Sequence, residues 1–402
     1  MSEHNEQNNI LLAGAVKRPI TPTVKGRTVY IAGYKSGRLA TGIHDELWVR
    51  ALAVRLGHTI IVWVALDLLG LLQDDIAFIH EQLQQNEDPI HLIVTCTRNY
   101  AGPDVVGLWT RGAFGSGLNV RYTHFLRQEV VQVVRSAVAA IEPVTAYLAR
   151  SQVQGLCANN ESKELSVLQL RTLDGKTVST MVNLALVPNV LDETNTLISA
   201  DFCNWLYLTL ERSRKEVTLY VCADADETLF PAVQSHSWEE AERIGRILAK
   251  EVQKALSDAL PVEIDRLDAW SCPIRIPSDD PVSRWLRHVG ALRRHSLVER
   301  HTDSQVGLIE LGPARMAVLP GLIAPEMGFE LRKMLDAPYR FLLCMSNDNL
   351  GFIVSPEAAL PAADTGSPIE QARRDERTSS YAGTIIRDEL DQLLLSRREQ
   401  RT

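Results

Sequence analysis

The sequence predicts an α/β fold: a single large domain with mixed β-sheets and flanking helices. Short β-branched runs alternate with amphipathic helical stretches along the chain, and no linker segregates strands from helices. No repeat of fixed period occurs. The 402 residues are 45% hydrophobic and 23% charged, a composition that can bury a full core and that excludes a disordered chain.

Strands and helices alternate through the first half of the chain. His58–Leu66 and Ile90–Thr97 have the β-branched content of buried strands, and Gln73–Asn86 between them has the spacing of an amphipathic helix. Tyr122–Ile141 is a longer helix with one apolar face. The strands predicted after it are joined by turns: Thr145–Gln154, Leu165–Leu173 and Thr180–Leu186.

The same alternation continues in the second half. Two helices, Asn204–Glu211 and Trp238–Leu256, flank the strand Val217–Cys222. Pro261–Pro277 is extended, and a helix with Pro281 in its first turn follows it. The later predicted elements, in chain order, are Gly307–Leu311, Ala314–Leu319, the helix Pro325–Leu335, Arg340–Cys344 and the helix Tyr381–Leu395.

The predicted domain occupies residues 11–395. Residues 1–10 are polar and have no apolar signal-peptide core, so we expect a disordered leader there, and a disordered tail at 396–402. No run of eighteen apolar residues occurs, since Asp67 interrupts the best candidate. These features predict a cytoplasmic protein without membrane insertion.

Charge and cysteine usage exclude two further classes. The net charge is -8 and basic residues are not concentrated, which argues against nucleic-acid binding. The six cysteines form no CxxC pair, so neither a disulfide framework nor a structural zinc site is expected. His288, His295 and His301 fall in one predicted helical stretch, but the first two lie about 10 Å apart, too far to share a metal. The sequence leaves the oligomeric state open.

One strand end carries an unusual set of polar residues. The strand Ile90–Thr97 runs directly into Arg98 and Tyr100, and then into a Gly-Pro turn that ends at Asp104. Such strand ends are where α/β proteins place binding residues. Arg98 supplies a fixed cation and Tyr100 a phenol, which predicts a binding or catalytic site. The alternative is a capped loop that contains an Arg–Asp pair.

Seven segments, spread in order over about residues 11–395, carry a family resemblance. They are AGAVKRPITP (Ala13–Pro22), GIHDELWVRAL (Gly42–Leu52), VALDLLGL (Val64–Leu71), AGPD (Ala101–Asp104), NTLISADF (Asn195–Phe202), LPGLIAPEMG (Leu319–Gly328) and SNDNLGFI (Ser346–Ile353). Together they resemble the N-terminal catalytic domain of the neutral/alkaline ceramidases. The resemblance implies that family's fold.

The resemblance also implies a zinc amidase site, in which two histidines, a glutamate and a tyrosine hold the metal beside a serine. The family's T-H-T-H-S-G-P motif reads Thr97–Pro103 here, with Arg98 at the first histidine and Tyr100 at the second. The N-x-A-x-H-P motif reads Asn183–Pro188, with Val187 at the histidine.

Two further motifs also depart from the family pattern. The glutamate of P-G-E corresponds to Leu322. In the N-D-Y-x-G-Y pattern the second tyrosine corresponds to Phe352 and the first to Asn349. The serine loop corresponds to Asp226–Pro231, where Leu229 or Phe230 occupies the serine position.

These replacements predict that no metal or other cofactor is bound. Valine, leucine and phenylalanine offer no lone pair, and an arginine at position 98 places a permanent cation where the dication would sit. We therefore expect no ceramide hydrolysis by the zinc mechanism.

Two classes of function remain, and the first is an enzyme rebuilt without metal. Arg98 would stabilise an oxyanion and Tyr100 would transfer a proton on a small-molecule acyl or amide substrate, in acyl transfer, cyclisation or hydrolysis. His44 is either a base or a structural histidine bonded near Asp45. The remaining catalytic candidates, which are either nucleophiles or inert buried thiols, are Cys96 and Cys222.

The second class is a pseudoenzyme that keeps the fold and binds an acylated ligand or a protein partner without turnover. Val187, Leu322 and Phe352 would then line an apolar pocket. Asn349 and Asp104 complete the predicted substrate-binding set. An enzyme of the first class would serve an intracellular, biosynthetic pathway.

Overall fold

A computed structural model describes residues 10–84, 89–110, 117–157, 163–213, 215–224, 231–277, 297–298, 301–354 and 381–399. The strands are β1 Leu12–Pro19, β2 Gly42–Ile43, β3 Trp48–Leu56, β4 Thr59–Leu66, β5 Ile90–Cys96, β6 Glu142–Val153, β7 Lys163–Thr172, β8 Thr177–Leu184, β9 Leu197–Ile198, β10 Val217–Cys222, β11 Pro261–Val262, β12 Leu267–Pro277, β13 Leu297–Val298, β14 His301–Leu311, β15 Ala314–Val318, β16 Leu322–Ile323, β17 Tyr339–Leu343 and β18 Phe352–Ile353. The described helices are α1 Gln73–Leu83, α2 Val120–Ala139, α3 Phe202–Leu210, α4 Trp238–Ser257, α5 Pro325–Leu335 and α6 Ala382–Glu399.

A nine-stranded mixed sheet is the largest element of the fold. Its order is β10-β8-β7-β6-β1-β3-β4-β5, with β11 paired to β6. The β4–β5 and β8–β10 pairs are parallel, and the other pairs are antiparallel. Its two halves are joined between β1 and β6 by only two residue pairs, Leu12–Pro143 and Ala13–Glu142.

A second sheet has the order β12-β14-β15-β17, with β13 paired to β14. Here only β15 and β17 are parallel. Two short parallel pairs, β2–β9 and β16–β18, lie outside the large sheets. The second of these pairs contributes to the candidate site.

The two large sheets pack face to face, with helices on their outer sides. One hydrophobic cluster contains residues of both sheets and none of the described helices, including Trp63, Met181 and Phe341. The alternate strand positions, such as Val62 and Val182, belong to a second cluster that includes the helices. α2 contacts β1 and β3, α4 contacts β6 and β7, and α6 contacts β12 and β14. The layers are therefore helix, sheet, sheet, helix.

The predicted fold class is confirmed: the chain is an α/β domain with mixed sheets and flanking helices. Most predicted strands agree with the structure to within a few residues at their ends. No helix in the described part of the chain is long and apolar enough to cross a membrane.

Several element boundaries differ from the predictions. His301 begins β14 rather than lying in a helix, because it pairs with Pro277 of β12 and starts the alternating burial pattern of a strand. The buried positions at this end are the polar Thr302 and Ser304, so no apolar alternation marks the strand in the sequence. α1 ends at Leu83, and α6 runs to Glu399, four residues past its predicted end and into the predicted tail. The helix predicted after Pro277, residues 1–9 and residues 400–402 lie outside the described residues.

Candidate functional site

The segments that carry the predicted site residues meet at one edge of the fold. Tyr100 N donates to Pro188 O at 3.1 Å, which joins the loop after β5 to the segment after β8. Ala223 N donates to Leu184 O at 3.0 Å, which joins the ends of β10 and β8. These main-chain bonds place Arg98, Val187 and Cys222 in adjoining segments.

Two more main-chain bonds close this arrangement into a ring. Cys344 N donates to Cys222 O at 3.1 Å, and Cys96 N donates to Met345 O at 3.2 Å. The ring therefore comprises residues 96–100, 184–188, 222–223 and 344–345, and we call it the strand-end ring. It lies where β5, β8, β10 and β17 end, which is where α/β sheets place ligand sites.

The short β16–β18 pair adjoins the strand-end ring. Met345 N donates to Gly321 O at 3.1 Å, and Leu322 N donates to Gly351 O at 2.9 Å. Leu322 and Phe352 are paired directly across the two strands. The positions matched to the family's glutamate and tyrosine are thus side by side, next to the segment that holds Cys344.

Arg98 occupies a strained backbone position in the strand-end ring. Its φ is +66°, in the left-handed region that costs a non-glycine residue of order 1 kcal/mol or more. The side chain is 2% exposed. Its Nη2 donates to Tyr100 Oη at 3.4 Å, and the guanidinium lies 5.6 Å from the centroid of the Tyr100 ring. The side chains of the two predicted site residues therefore contact each other.

Asn99 holds this loop in place. Its Nδ2 donates to Asp67 O at 3.0 Å and to Ser199 O at 2.7 Å, and its Oδ1 accepts from Ala101 N at 2.9 Å. These three bonds from one buried side chain tie the loop that follows Arg98 to the segments of Asp67 and Ser199, and they offset the strain at Arg98. Sequence reasoning missed this role, and the only signal was an asparagine between the two predicted site residues.

Tyr100 packs on a second tyrosine that sequence reasoning also missed. The rings of Tyr34 and Tyr100 lie 4.9 Å apart and are tilted by 51°. Tyr34 Oη donates to Leu191 O at 2.9 Å, and burial raises the pKa of Tyr34 well above its ordinary value. Gly33 has φ +82°, and a Cβ there would lie 2.3 Å from the Tyr100 ring. Only glycine fits this contact.

Asp104 caps the loop. Its Oδ1 accepts from Val106 N at 3.0 Å and Gly107 N at 2.6 Å, and its Oδ2 accepts from Trp109 N at 2.9 Å. Burial raises the pKa of Asp104 in spite of these bonds. The carboxylate was predicted to contact substrate, but both of its oxygens are occupied by backbone amides. The capped-loop alternative is therefore formed by amides rather than by an Arg–Asp pair.

His44 has the surroundings of a structural histidine. Its Nδ1 lies 2.8 Å from Asp45 Oδ2, and its ring is stacked on Trp238 at 3.7 Å. Asp45 also accepts from Ser199 Oγ and from Ala200 N. His44 is thus linked to the loop of the strand-end ring through Asp45 and Ser199. The last link is the bond from Ser199 N to Ala101 O, at 3.2 Å.

Cys96 and Cys222 lie at strand ends, as the sequence predicts. Both thiols are buried. Burial raises the pKa of Cys222 to about 12 and that of Cys96 further, and the nearby Arg98 cation lowers each pKa by less than burial raises it. Both side chains are therefore protonated thiols at neutral pH, which makes them poor nucleophiles.

The remaining predicted residues are apolar or bonded within the site. Val187, Leu322 and Phe352 are buried in the same hydrophobic cluster. Asn349 Oδ1 accepts from Gly351 N at 3.1 Å. The positions matched to the family's serine, Leu229 and Phe230, lie outside the described residues. Among the residues that the structure describes, no group of three or more His, Cys, Asp and Glu side chains is placed to hold a metal ion.

Two buried carboxyl groups, those of Asp67 and Asp201, belong to residues that are hydrogen-bonded to segments of the site. Asp67 accepts from Trp48 N at 2.8 Å and from Tyr207 Oη at 2.9 Å, and burial raises its pKa to about 6. Asp201 accepts from Leu191 N at 3.0 Å, and burial likewise raises its pKa to about 6. Each carboxyl is thus partly protonated near pH 6.

Two solved structures share this architecture. The neutral ceramidase from Pseudomonas aeruginosa aligns with a TM-score of 0.78 and 13% identity over 97% of this chain and 75% of that chain. A ceramidase complexed with C2 aligns with a TM-score of 0.77 and 13% identity over 98% of this chain and 76% of that chain. No protein-family model matches the chain, and no curated protein matches it. The chain therefore has a ceramidase-like fold.

Proposed function

We propose that this chain is a metal-independent enzyme on the ceramidase fold, and that it acts on an acyl or carbonyl group of a small molecule. The reaction is acyl transfer, cyclisation or hydrolysis. The observation that carries the proposal is the Arg98–Tyr100 pair, with 3.4 Å between Nη2 and Oη, on the strand-end ring.

The pair has the chemistry that a carbonyl addition needs. Arg98 is a permanent cation in a buried position, where low dielectric strengthens its attraction for an oxyanion that forms on the substrate. Tyr100 Oη is a proton donor or acceptor beside that cation. The strained backbone of Arg98, fixed by Asn99, holds the guanidinium in one place before the substrate arrives.

The side chains at the positions matched to the family's metal ligands support metal independence. Val187, Leu322 and Phe352 have no lone pair to donate. Arg98 brings a positive charge to the same region. This donor set does not fit zinc.

A second candidate function is a pseudoenzyme that binds an acylated ligand or a protein partner. It is favoured by the direct pairing of Leu322 with Phe352, which places two apolar residues side by side next to the strand-end ring, an arrangement that suits an acyl chain. The proposal of a cytoplasmic location applies to both candidates and is tested by cell fractionation, whereas the biosynthetic role belongs to the enzyme alone.

Arg98→Ala and Tyr100→Phe test the enzyme. With p-nitrophenyl esters and N-acyl p-nitroanilides of graded chain length as probes, we expect each variant to lose about 10²- to 10³-fold in kcat/KM. Arg171→Ala and Tyr147→Phe are matched controls, because those residues form a cation–π pair at 4.1 Å on β7 and β6. Unchanged rates in both site variants would refute the catalytic roles.

Metal analysis and native mass spectrometry of the purified protein separate the alternatives. Stoichiometric zinc would contradict metal independence. A co-purifying acyl compound that the protein leaves unchanged would favour the pseudoenzyme, whereas a compound of altered mass after incubation would favour the enzyme.

A further inference from the structure

Asn189 differs from the other buried asparagines of the described chain. Asn99, Asn183 and Asn347 all use their side chains in hydrogen bonds. Asn189 is 3% exposed, yet neither its Oδ1 nor its Nδ2 has a hydrogen-bond partner among the residues that the structure describes. Native proteins rarely leave both ends of a buried carboxamide unpaired, because burial removes the water that would otherwise bond them.

The backbone around Asn189 is firmly held. Its N–H donates to Val187 O at 2.9 Å, and its carbonyl accepts from Tyr34 Oη at 3.3 Å. The preceding residue, Pro188, accepts the bond from Tyr100 N that joins residues 96–100 to residues 184–188 of the strand-end ring. The unpaired carboxamide is therefore carried by a fixed segment, next to the Arg98–Tyr100 pair.

A third unpaired polar atom lies in residues 96–100 of the strand-end ring. Thr97 is fully buried, and its Oγ1 has no hydrogen-bond partner within the described residues. Thr97 directly precedes Arg98. Unpaired polar atoms thus occur on both segments that the Tyr100–Pro188 bond brings together, which is the pattern expected of groups that await a polar ligand.

We propose that the Asn189 carboxamide is a ligand-binding group of this site and recognises a planar amide edge in which N–H and C=O lie side by side. A lactam ring or a primary carboxamide has such an edge and would receive one bond and donate the other. An extended secondary amide places its N–H and C=O on opposite sides and cannot pair with both atoms of one carboxamide. The inference rests on the proposed site, but not on turnover.

Binding of small probes tests the pairing directly. Ligand-observed NMR is recorded on the full chain with 2-piperidone, which has a lactam edge, with cyclohexanone, which lacks the N–H, and with N-methylacetamide, which is extended. We expect 2-piperidone to bind at least tenfold more tightly than the other two. Equal affinities, or no binding of 2-piperidone, would overturn the inference.

Asn189→Leu tests whether the carboxamide serves the ligand or the fold. The variant should lose the preference for 2-piperidone and keep or raise the thermal midpoint, because an unpaired polar group has been removed. Asn183→Leu is the matched control, since Asn183 donates to Val221 O and Leu342 O at 2.9 Å each, and it should lower the midpoint. If Asn189→Leu lowers the midpoint as much as the control does, the carboxamide is structural and the inference fails.

The outcome is independent of the enzyme proposal. Lactam binding without turnover of any probe ester would support Asn189 and refute the catalytic role of Arg98 and Tyr100. Ester turnover with no lactam preference would refute the inference and leave the enzyme proposal standing.

Discussion

The loop after β5 and the segment after β8 meet at the Tyr100–Pro188 bond, yet they use their polar side chains differently. In the loop, Asn99 and Asp104 each make three hydrogen bonds to backbone groups. In the segment, Asn189 makes none within the described residues. Both segments are buried, so burial does not explain the difference. Side chains whose hydrogen-bonding groups are all used fix the shape of a site. Side chains whose hydrogen-bonding groups are unused remain able to bind what enters it.

Paired alanine variants give the largest expected contrast. Asn99→Ala leaves Asp67 O, Ser199 O and Ala101 N without their buried partner, so we expect a loss of about 4 kcal/mol in unfolding free energy. Asn189→Ala should cost about 1 kcal/mol or less, because no hydrogen bond is broken. Urea denaturation of both variants measures the difference. Equal losses would show that the hydrogen bonds of Asn99 contribute no more to the unfolding free energy than the unpaired side chain of Asn189 does.

The two buried carboxyl groups that adjoin these segments predict an unusual pH dependence of the unfolding free energy. Asp67 and Asp201 have pKa values raised by burial from 3.8 to about 6, so the folded chain retains protons that the unfolded chain releases between these values. Each group therefore lowers stability by about 3 kcal/mol as pH rises from about 4 to about 6, with no further change above that range.

Asp67→Asn isolates this effect, because it keeps an acceptor and removes the titration. The difference in urea midpoint between the variant and the parent should grow in favour of the variant from pH 4 to pH 6 and then stay constant. Asp268→Asn, at a half-exposed position on β12, serves as the control. A difference in urea midpoint that shrinks as pH rises would contradict the predicted loss of stability on deprotonation of Asp67.

A glycine comparison gives a smaller effect that reports on Tyr100 alone. Gly33→Ala places a Cβ 2.3 Å from the Tyr100 ring at φ +82°, whereas Gly26→Ala meets nothing within 4 Å at φ +70°. Both variants bear the left-handed backbone cost of about 1 kcal/mol, and Gly33→Ala should lose about 1–2 kcal/mol more and lower turnover. Thermal unfolding measures the difference, and equal losses would mean that Tyr100 moves aside freely.

The sequence alone predicted an element correctly where a short run of consecutive residues indicates the structure. β4, β5 and β10 are rich in β-branched and other apolar residues, and their ends agree with the predictions to within a residue. Arg98 and Tyr100 were singled out because both follow one predicted strand, while the contact between their side chains is known only from the structure.

Other features depend on partners that are distant in the chain. β3 was not singled out, because its buried Arg50 interrupts the apolar run and has its carboxylate partner in Glu211, 161 residues away. Tyr34, Gly33 and Asn189 reach the site only through tertiary packing. No local pattern reports whether a buried side chain has found a hydrogen-bond partner, which is why Asn189 could not be recognised before the structure.

The strand-end ring also bears on how such sites change over evolutionary time. Every bond that closes the ring joins peptide groups, and every amino acid except proline has both the donor and the acceptor. The frame therefore places little constraint on the side chains it carries, and residues can be exchanged at Arg98, Val187 or Leu322 without loss of the scaffold. A TM-score of 0.78 at 13% identity fits such a frame, since the fold is shared while most side chains differ.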